Sequence, residues 1–158
     1  MSPEDYPRYM SLALQEAELA FERDEVPVGS LIVFENRIVG RGHNLTESMH
    51  DATAHAEMIA LSAAYSHFGD WRLENCYLFS TLEPCTMCVG AAVLSRIGTI
   101  VYGAKDAKFG GCESIFRIPT DKRLNHQIEV ISGILEEKVS NLMKKFFQQV
   151  RADKNRVN

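Results

Sequence analysis

From Met10 the chain sets apolar residues at Ala13, Leu14, Ala17, Ala20 and Phe21, three or four apart. That spacing predicts a helix with one buried face, ending near Asp24. Its start is marked by Ser2 as N-cap, Pro3 at the first helical position and acids in the first turn. The pattern then changes. "SLIVF" (30–34) and "RIVGRG" (37–42) flank Glu35 and Asn36, which predicts a hairpin of two strands. Helical spacing returns from about Thr53 to His67, with Ala56, Ile59, Ala60 and Ala63 on one face. "CYLFST" (76–81) reads as a short buried strand, and Pro84 as the first residue of the helix after it. "TIVYG" (99–103) and "QIEVIS" (127–132) supply a fourth and a fifth strand. A last helix runs from about Glu136 to beyond Phe147. Strands alternating with helices predict an α/β sandwich around a mixed sheet. No repeat or linker-like stretch divides residues 1–158, so one domain is expected.

Composition narrows the classes. An apolar fraction of 46% and a charged fraction of 24% suit an ordinary globular chain. No run of 18 or more apolar residues is present, so no membrane-spanning helix is expected. "MSPEDYPRYM" lacks a basic region followed by an apolar one, so no secretory signal is expected and the cytoplasm is the default compartment. There, the four cysteines point to metal binding or catalysis rather than to disulfides. The glycosylation pattern "NLT" (44–46) is then accidental.

The net charge of −4 disfavours a nucleic-acid partner only on average. Residues 1–104 carry 6 Lys/Arg against 14 Asp/Glu, whereas residues 105–158 carry 11 against 7. The last third is the one plausible landing surface for a polyanion.

Two stretches carry chemistry: "DATAHAEMIAL" (51–61) and "TLEPCTMCVGAAVL" (81–94). Cys85 and Cys88, at i and i+3 on the first turn of a helix, can share one ion. A helix N-terminus also favours their thiolates. Cys76 and Cys112 have no partner at ligand spacing. His55, also near a helix start, is the best third ligand. Three protein ligands with a fourth position open to water is the pattern of catalytic zinc. Glu57 lies roughly 200° around an ideal helix from His55. At a first turn both side chains still lean toward an ion placed off the helix end. A carboxylate beside metal-activated water, but not ligating, is what proton shuttling requires.

"HAE" and "PCTMC" together form the H-x-E…P-C-x-x-C signature of zinc-dependent nucleobase deaminases. The chain more closely resembles the bacterial tRNA-specific adenosine deaminases. The likeness runs from "EVPVGSLIV" through both motifs to "GAKDAKFGG", "NHQIEVISGIL" and the pair Phe146 and Phe147. The resemblance implies a three-layer α/β/α sandwich with a five-stranded mixed sheet, of the cytidine deaminase type. It implies one zinc per subunit, a homodimer, and conversion of the wobble adenosine of a tRNA anticodon stem-loop to inosine.

It also implies roles for residues. His55, Cys85 and Cys88 hold zinc, and Glu57 moves protons between water, N1 and the departing amine. Asn44 offers the flipped base a donor and an acceptor, and Pro27 and Val28 wall the pocket. Asp106 meets the RNA backbone, where an acceptor for a ribose 2′-OH helps tell RNA from DNA. Lys108, Asn125, His126, Phe146, Phe147 and Arg151 complete that surface. The chain departs from the family at Ala52, where a proline is usual, and at Phe109 and Cys112, where smaller residues are expected.

Two other functions compete. A free nucleobase or nucleoside deaminase, of guanine or cytosine type, would use the same zinc site but need no basic last third. A zinc-stabilised RNA-binding subunit without catalysis would need a fourth ligand and no Glu57.

Overall fold

The computed structural model describes residues 1–157. A capping box opens the chain: Ser2 Oγ accepts from Glu4 N–H at 3.4 Å, and Ser2 N–H donates to Asp5 Oδ2 at 3.1 Å. This sets a single 3-10 turn over Pro3–Asp5, after which helix α1 runs Tyr6–Glu22. Asp24, at φ 58°, turns the chain out of the helix where the apolar stripe stops.

Strands β1 (Gly29–Phe34) and β2 (Arg37–His43) form the expected hairpin. Glu35 and Asn36 both have positive φ, 46° and 61°, the turn whose twist matches that of paired strands. Helix α2 (Thr46–Met49) is short and was not foreseen. It is followed by α3 (Ala56–Phe68), β3 (Tyr77–Leu82), α4 (Thr86–Leu94), β4 (Thr99–Ala104), β5 (Glu129–Ile131) and α5 (Glu136–Val157).

The sheet order is β2-β1-β3-β4-β5. β1 is antiparallel to both neighbours, whereas β3, β4 and β5 are parallel. Alternation along the strands divides the core. Ile32, Leu78, Ile100 and Tyr102 pack with Ala60, Leu61, Val89 and Ala92 of α3 and α4. Leu31, Val33, Phe79 and Val101 face Tyr9, Met10 and Ala13 of α1. Val139 of α5 joins Leu14 and Ala104 on that side. The result is the expected three-layer sandwich with a five-stranded mixed sheet. No helix among the described residues is long and apolar enough to cross a membrane.

Two helix starts fall later than expected. α3 begins at Ala56 rather than Thr53, and α4 at Thr86 rather than Pro84. His55 (φ −76°, ψ 150°) and Cys85 (φ −74°, ψ 174°) are both extended N-cap residues. A non-helical backbone turns each side chain off the end of its helix instead of along its face.

The seating of α3 depends on two glycines in β2. A Cβ on Gly42 would stand 2.4 Å from the Ala56 carbonyl oxygen, and one on Gly40 2.2 Å from that of Ala60. Only bare backbone lets α3 lie this close and bring its N-terminus to the end of the sheet.

Candidate active site

The N-termini of α3 and α4 bring three ligand atoms together. Cys85 Sγ lies 3.5 Å from His55 Nδ1 and 3.7 Å from Cys88 Sγ, and Cys88 Sγ lies 3.6 Å from the same nitrogen. Bond lengths of about 2.3 Å to sulfur and about 2.05 Å to nitrogen fix the edges of a tetrahedral zinc site at about 3.8 and 3.6 Å. The observed triangle fits one face of that tetrahedron. No other group of three or more His, Cys, Asp or Glu side chains with this closeness occurs among the described residues. The group has three members and no fourth His, Cys, Asp or Glu among the described residues.

Charge is organised around the triangle. The Cys88 side chain, aided by His55, holds the Cys85 thiol down to about 4 against the effect of burial. Its thiolate partner raises the His55 imidazole above its usual range, although burial opposes this. Cys88, next to the Cys85 sulfur and fully buried, is pushed upward. Two sulfurs competing for one negative charge are the state that a divalent cation resolves by holding both as thiolates.

Glu57 is the second residue of α3, only 4% exposed, and is not a member of the triangle. Burial raises its carboxyl above the usual range. The Ser80 hydroxyl lies 3.3 Å from Glu57 Oε1 and 2.7 Å from the Leu82 carbonyl oxygen. A protonatable carboxyl thus sits beside three candidate metal-ligand atoms without joining them.

These groups open into a cavity of about 390 Å³, within the usual span for small-ligand sites. Val26, Val28, Asn44 and Thr46 line one part of it, and Leu82, Glu83, Asp106 and Phe109 another. Of the residues expected there, Val28, Asn44, His55, Glu57, Cys85 and Asp106 are brought together. Pro27 is buried beside the cavity, and Val26 takes the lining place expected of it. Asn44 is buried, and its Oδ1 accepts from the Thr46 N–H at 3.4 Å. Lys108 is exposed next to the cavity rim, with its N–H donating to Asp106 Oδ1 at 2.9 Å.

The remaining expected contacts separate. Asn125 is exposed and outside the cavity. One His126 ring nitrogen lies 2.7 Å from the Ile97 carbonyl oxygen, a bond within the fold. Phe146 corrects the expectation of a stacking residue: it is buried, edge-on to Phe21 of α1 with centroids 5.8 Å apart. Phe147 is 43% exposed and reaches solvent from the same helix. Cys112 is buried, and burial raises its thiol above the ordinary range, which disfavours the thiolate.

Sequence reasoning missed two buried acids that hold the cavity's edges, Glu25 and Glu83. Nothing in a sequence separates such a carboxylate from a surface one. Glu25 is fully buried and accepts from two backbone N–H groups of α2. Its Oε1 accepts from the Ser48 N–H at 2.6 Å and the Ser48 hydroxyl at 2.8 Å, and its Oε2 from the Glu47 N–H at 3.2 Å. Burial alone would raise this carboxyl, but the bonds from Ser48, Glu47 and Thr46 outweigh it and hold it below the ordinary carboxylate range.

A depressed acid contributes stability that is present above its unfolded pKa and is lost as pH falls through the folded value. Glu25→Gln should therefore lower Tm at pH 7, with a deficit that shrinks below about pH 4. A thermal melt series from pH 7 to 3 checks this. A deficit constant with pH would assign the stabilisation to packing rather than to charge.

The MafB19-like deaminase family model matches residues 4–151. A tRNA-specific adenosine deaminase of Streptococcus pyogenes is 46% identical over 153 residues, covering 97% of this chain and 96% of its own. The tRNA-specific adenosine deaminase of Bacillus subtilis is 45% identical, covering 92% of this chain and 91% of its own. A structure solved in work on A-to-I editing by tRNA deaminases at the wobble position is 41% identical with a TM-score of 0.82. That match covers 85% of this chain and 98% of the other. On this identity and coverage, the chain belongs to the tRNA-specific adenosine deaminase family.

Proposed function

We propose that this chain, acting as one deaminase domain, converts adenosine to inosine at the wobble position of a tRNA anticodon stem-loop. The observation that carries the reading is a three-donor triangle beside a buried, non-ligating glutamate, with His55, Cys85 and Glu57 lining one cavity. His55, Cys85 and Cys88 would hold one zinc ion, which supplies a water acidic enough to lose a proton near neutrality.

The chain's own residues do the rest. Glu57 accepts the first water proton and passes it to N1, where it remains in inosine. The attacking oxygen bonds to C6, and its second proton travels through Glu57 to the exocyclic amine. The C6–N6 bond then breaks and ammonia leaves. Asn44, with donor and acceptor on one amide, orients the base, and Val28 supplies an apolar wall.

An RNA substrate fits the outer surface. Asp106 stands at the cavity edge with Lys105 and Lys108 exposed on either side of it. A carboxylate there can accept from a ribose 2′-OH, while the lysines face phosphates. A tRNA substrate sets the enzyme in the cytoplasm. The active form is a homodimer, for which exposed Ile115 (50%) and Phe116 (54%) offer an apolar face.

A paired assay on zinc-loaded protein tests the reading. One tube holds an anticodon stem-loop with wobble adenosine; others hold adenosine, adenine, guanine, cytosine and cytidine. Inosine in the stem-loop with the free compounds untouched is the expected result. Turnover of a free base beside an intact stem-loop would leave the centre standing and overturn the substrate.

Binding should weaken with salt, because lysines displace counterions from phosphates. Lys105→Ala with Lys108→Ala should reduce the slope of log K against log salt by about one to two. A slope unaltered in the double variant would move the RNA surface elsewhere.

A further inference from the structure

Glu83 stands between β3 and the metal-ligand Cys85, and only 2% of it is exposed. Its Oε1 accepts from the Asp106 N–H at 3.1 Å. Its Oε2 accepts from the N–H groups of Cys112, Glu113 and Ser114 at 3.2, 2.9 and 3.0 Å. The Ser114 hydroxyl donates to Oε1 as well. Among the described residues Glu83 makes no ion pair, so these five loop donors stand where a cation would. Convergent backbone N–H groups make an anion-binding hollow. Here the anion is the chain's own carboxylate.

The loop is shaped to that carboxylate. A Cβ on Gly110 would stand 2.3 Å from Glu83 Oε2. The Gly111 N–H donates to the Pro84 carbonyl at 2.8 Å, and Cys85 and Gly110 pair as an isolated antiparallel bridge. One segment therefore grips both the Glu83 side chain and the backbone next to Cys85. Its outer edge carries Asp106 and Phe109 into the cavity lining, with Lys108 exposed between them.

The geometry points to Glu83 as a positioning residue that orders residues 106–114, so that Asp106, Lys108 and Phe109 meet RNA at a fixed distance from the His55–Cys85–Cys88 centre. The RNA partner in this statement rests on the function proposed above; the ordering of the loop does not. Glutamine at this position keeps the size but turns an NH₂ group toward N–H donors. The loop then loses acceptors that no other side chain supplies.

Two variants and two measurements test this. In Glu83→Gln, amide hydrogen exchange at Cys112, Glu113 and Ser114 should accelerate by about tenfold or more, while amides in α3 change far less. KM for the stem-loop should rise by about tenfold or more, and kcat should fall by less. Ser114→Ala removes one donor and should move both readings the same way by about twofold to threefold. Unaltered loop exchange in either variant would overturn the inference, as would a loss confined to kcat, which would make Glu83 a support of the metal centre. Should Glu83→Gln not fold, Ser114→Ala alone decides by the same readings. Exchange is measured without RNA, so it tests Glu83 even where wild-type protein fails to edit the stem-loop. That failure would instead count against the proposed function.

Discussion

Glu57→Gln should keep its metal and lose kcat by about 10²- to 10⁴-fold, the usual range for a positioned proton carrier. The side chain lies outside the donor triangle, so its replacement takes no ligand from the ion. Glutamine has the same shape and can still accept from the Ser80 hydroxyl, 3.3 Å from Oε1 in the wild type. What it cannot do is hold a proton. Stability should not suffer. Burial raises the Glu57 carboxyl, so in metal-free protein it costs stability as pH rises above its unfolded pKa. The neutral amide removes that cost, and the metal-free variant should melt no lower than metal-free wild type. Elemental analysis beside single-turnover kinetics checks both halves. A variant that lost its metal would make Glu57 a ligand and remove the proton-carrier assignment.

The same residues explain what the sequence made legible. An apolar run is a property of adjacent positions, so the strand over Leu31, Ile32 and Val33 could be read directly, whereas the faces they take are seen only in the packing. The hairpin at Glu35–Asn36 needed only its two flanking runs. Helix starts were harder at the site itself. Thr53 and Pro84 carry ordinary start signals, yet α3 and α4 begin later, because His55 and Cys85 take the extended cap geometry that aims them at one point. α2 has no apolar periodicity at all. Its Glu47 and Ser48 amides are satisfied by Glu25, more than twenty residues earlier, and such a bond is invisible to local reading. Phe146 shows the same blindness in reverse. An apolar pair in a terminal helix fits stacking or core equally well until Phe21 is placed against it. The candidate donors were legible because His55–Glu57 and Cys85–Cys88 are each short local motifs; the acids that hold the cavity's edges were not, because their partners are remote.

Cys88→Ala should abolish metal binding and turnover yet leave a folded protein. The sulfur is one of three donors, and two remaining donors leave too open a site for tight binding. The fold does not depend on the ion in the way a small zinc finger does. α3 and α4 bury Ala60, Leu61, Val89 and Ala92 against the sheet, independently of anything held at their N-termini. A metal that binds only the folded arrangement would add stability by mass action, about 2.7 kcal/mol at one hundred times its dissociation constant. For a chain of this length that corresponds to about 5–10 °C in Tm. Wild-type protein should lose about that much on treatment with a chelator and regain it with zinc. Cys88→Ala should melt near the chelated wild type and ignore both additions. Wild-type unfolding on chelation at room temperature would show that the ion holds the structure together, and would favour a closed structural centre over a catalytic one. Unchanged activity after complete metal removal would detach the reaction from the triangle altogether.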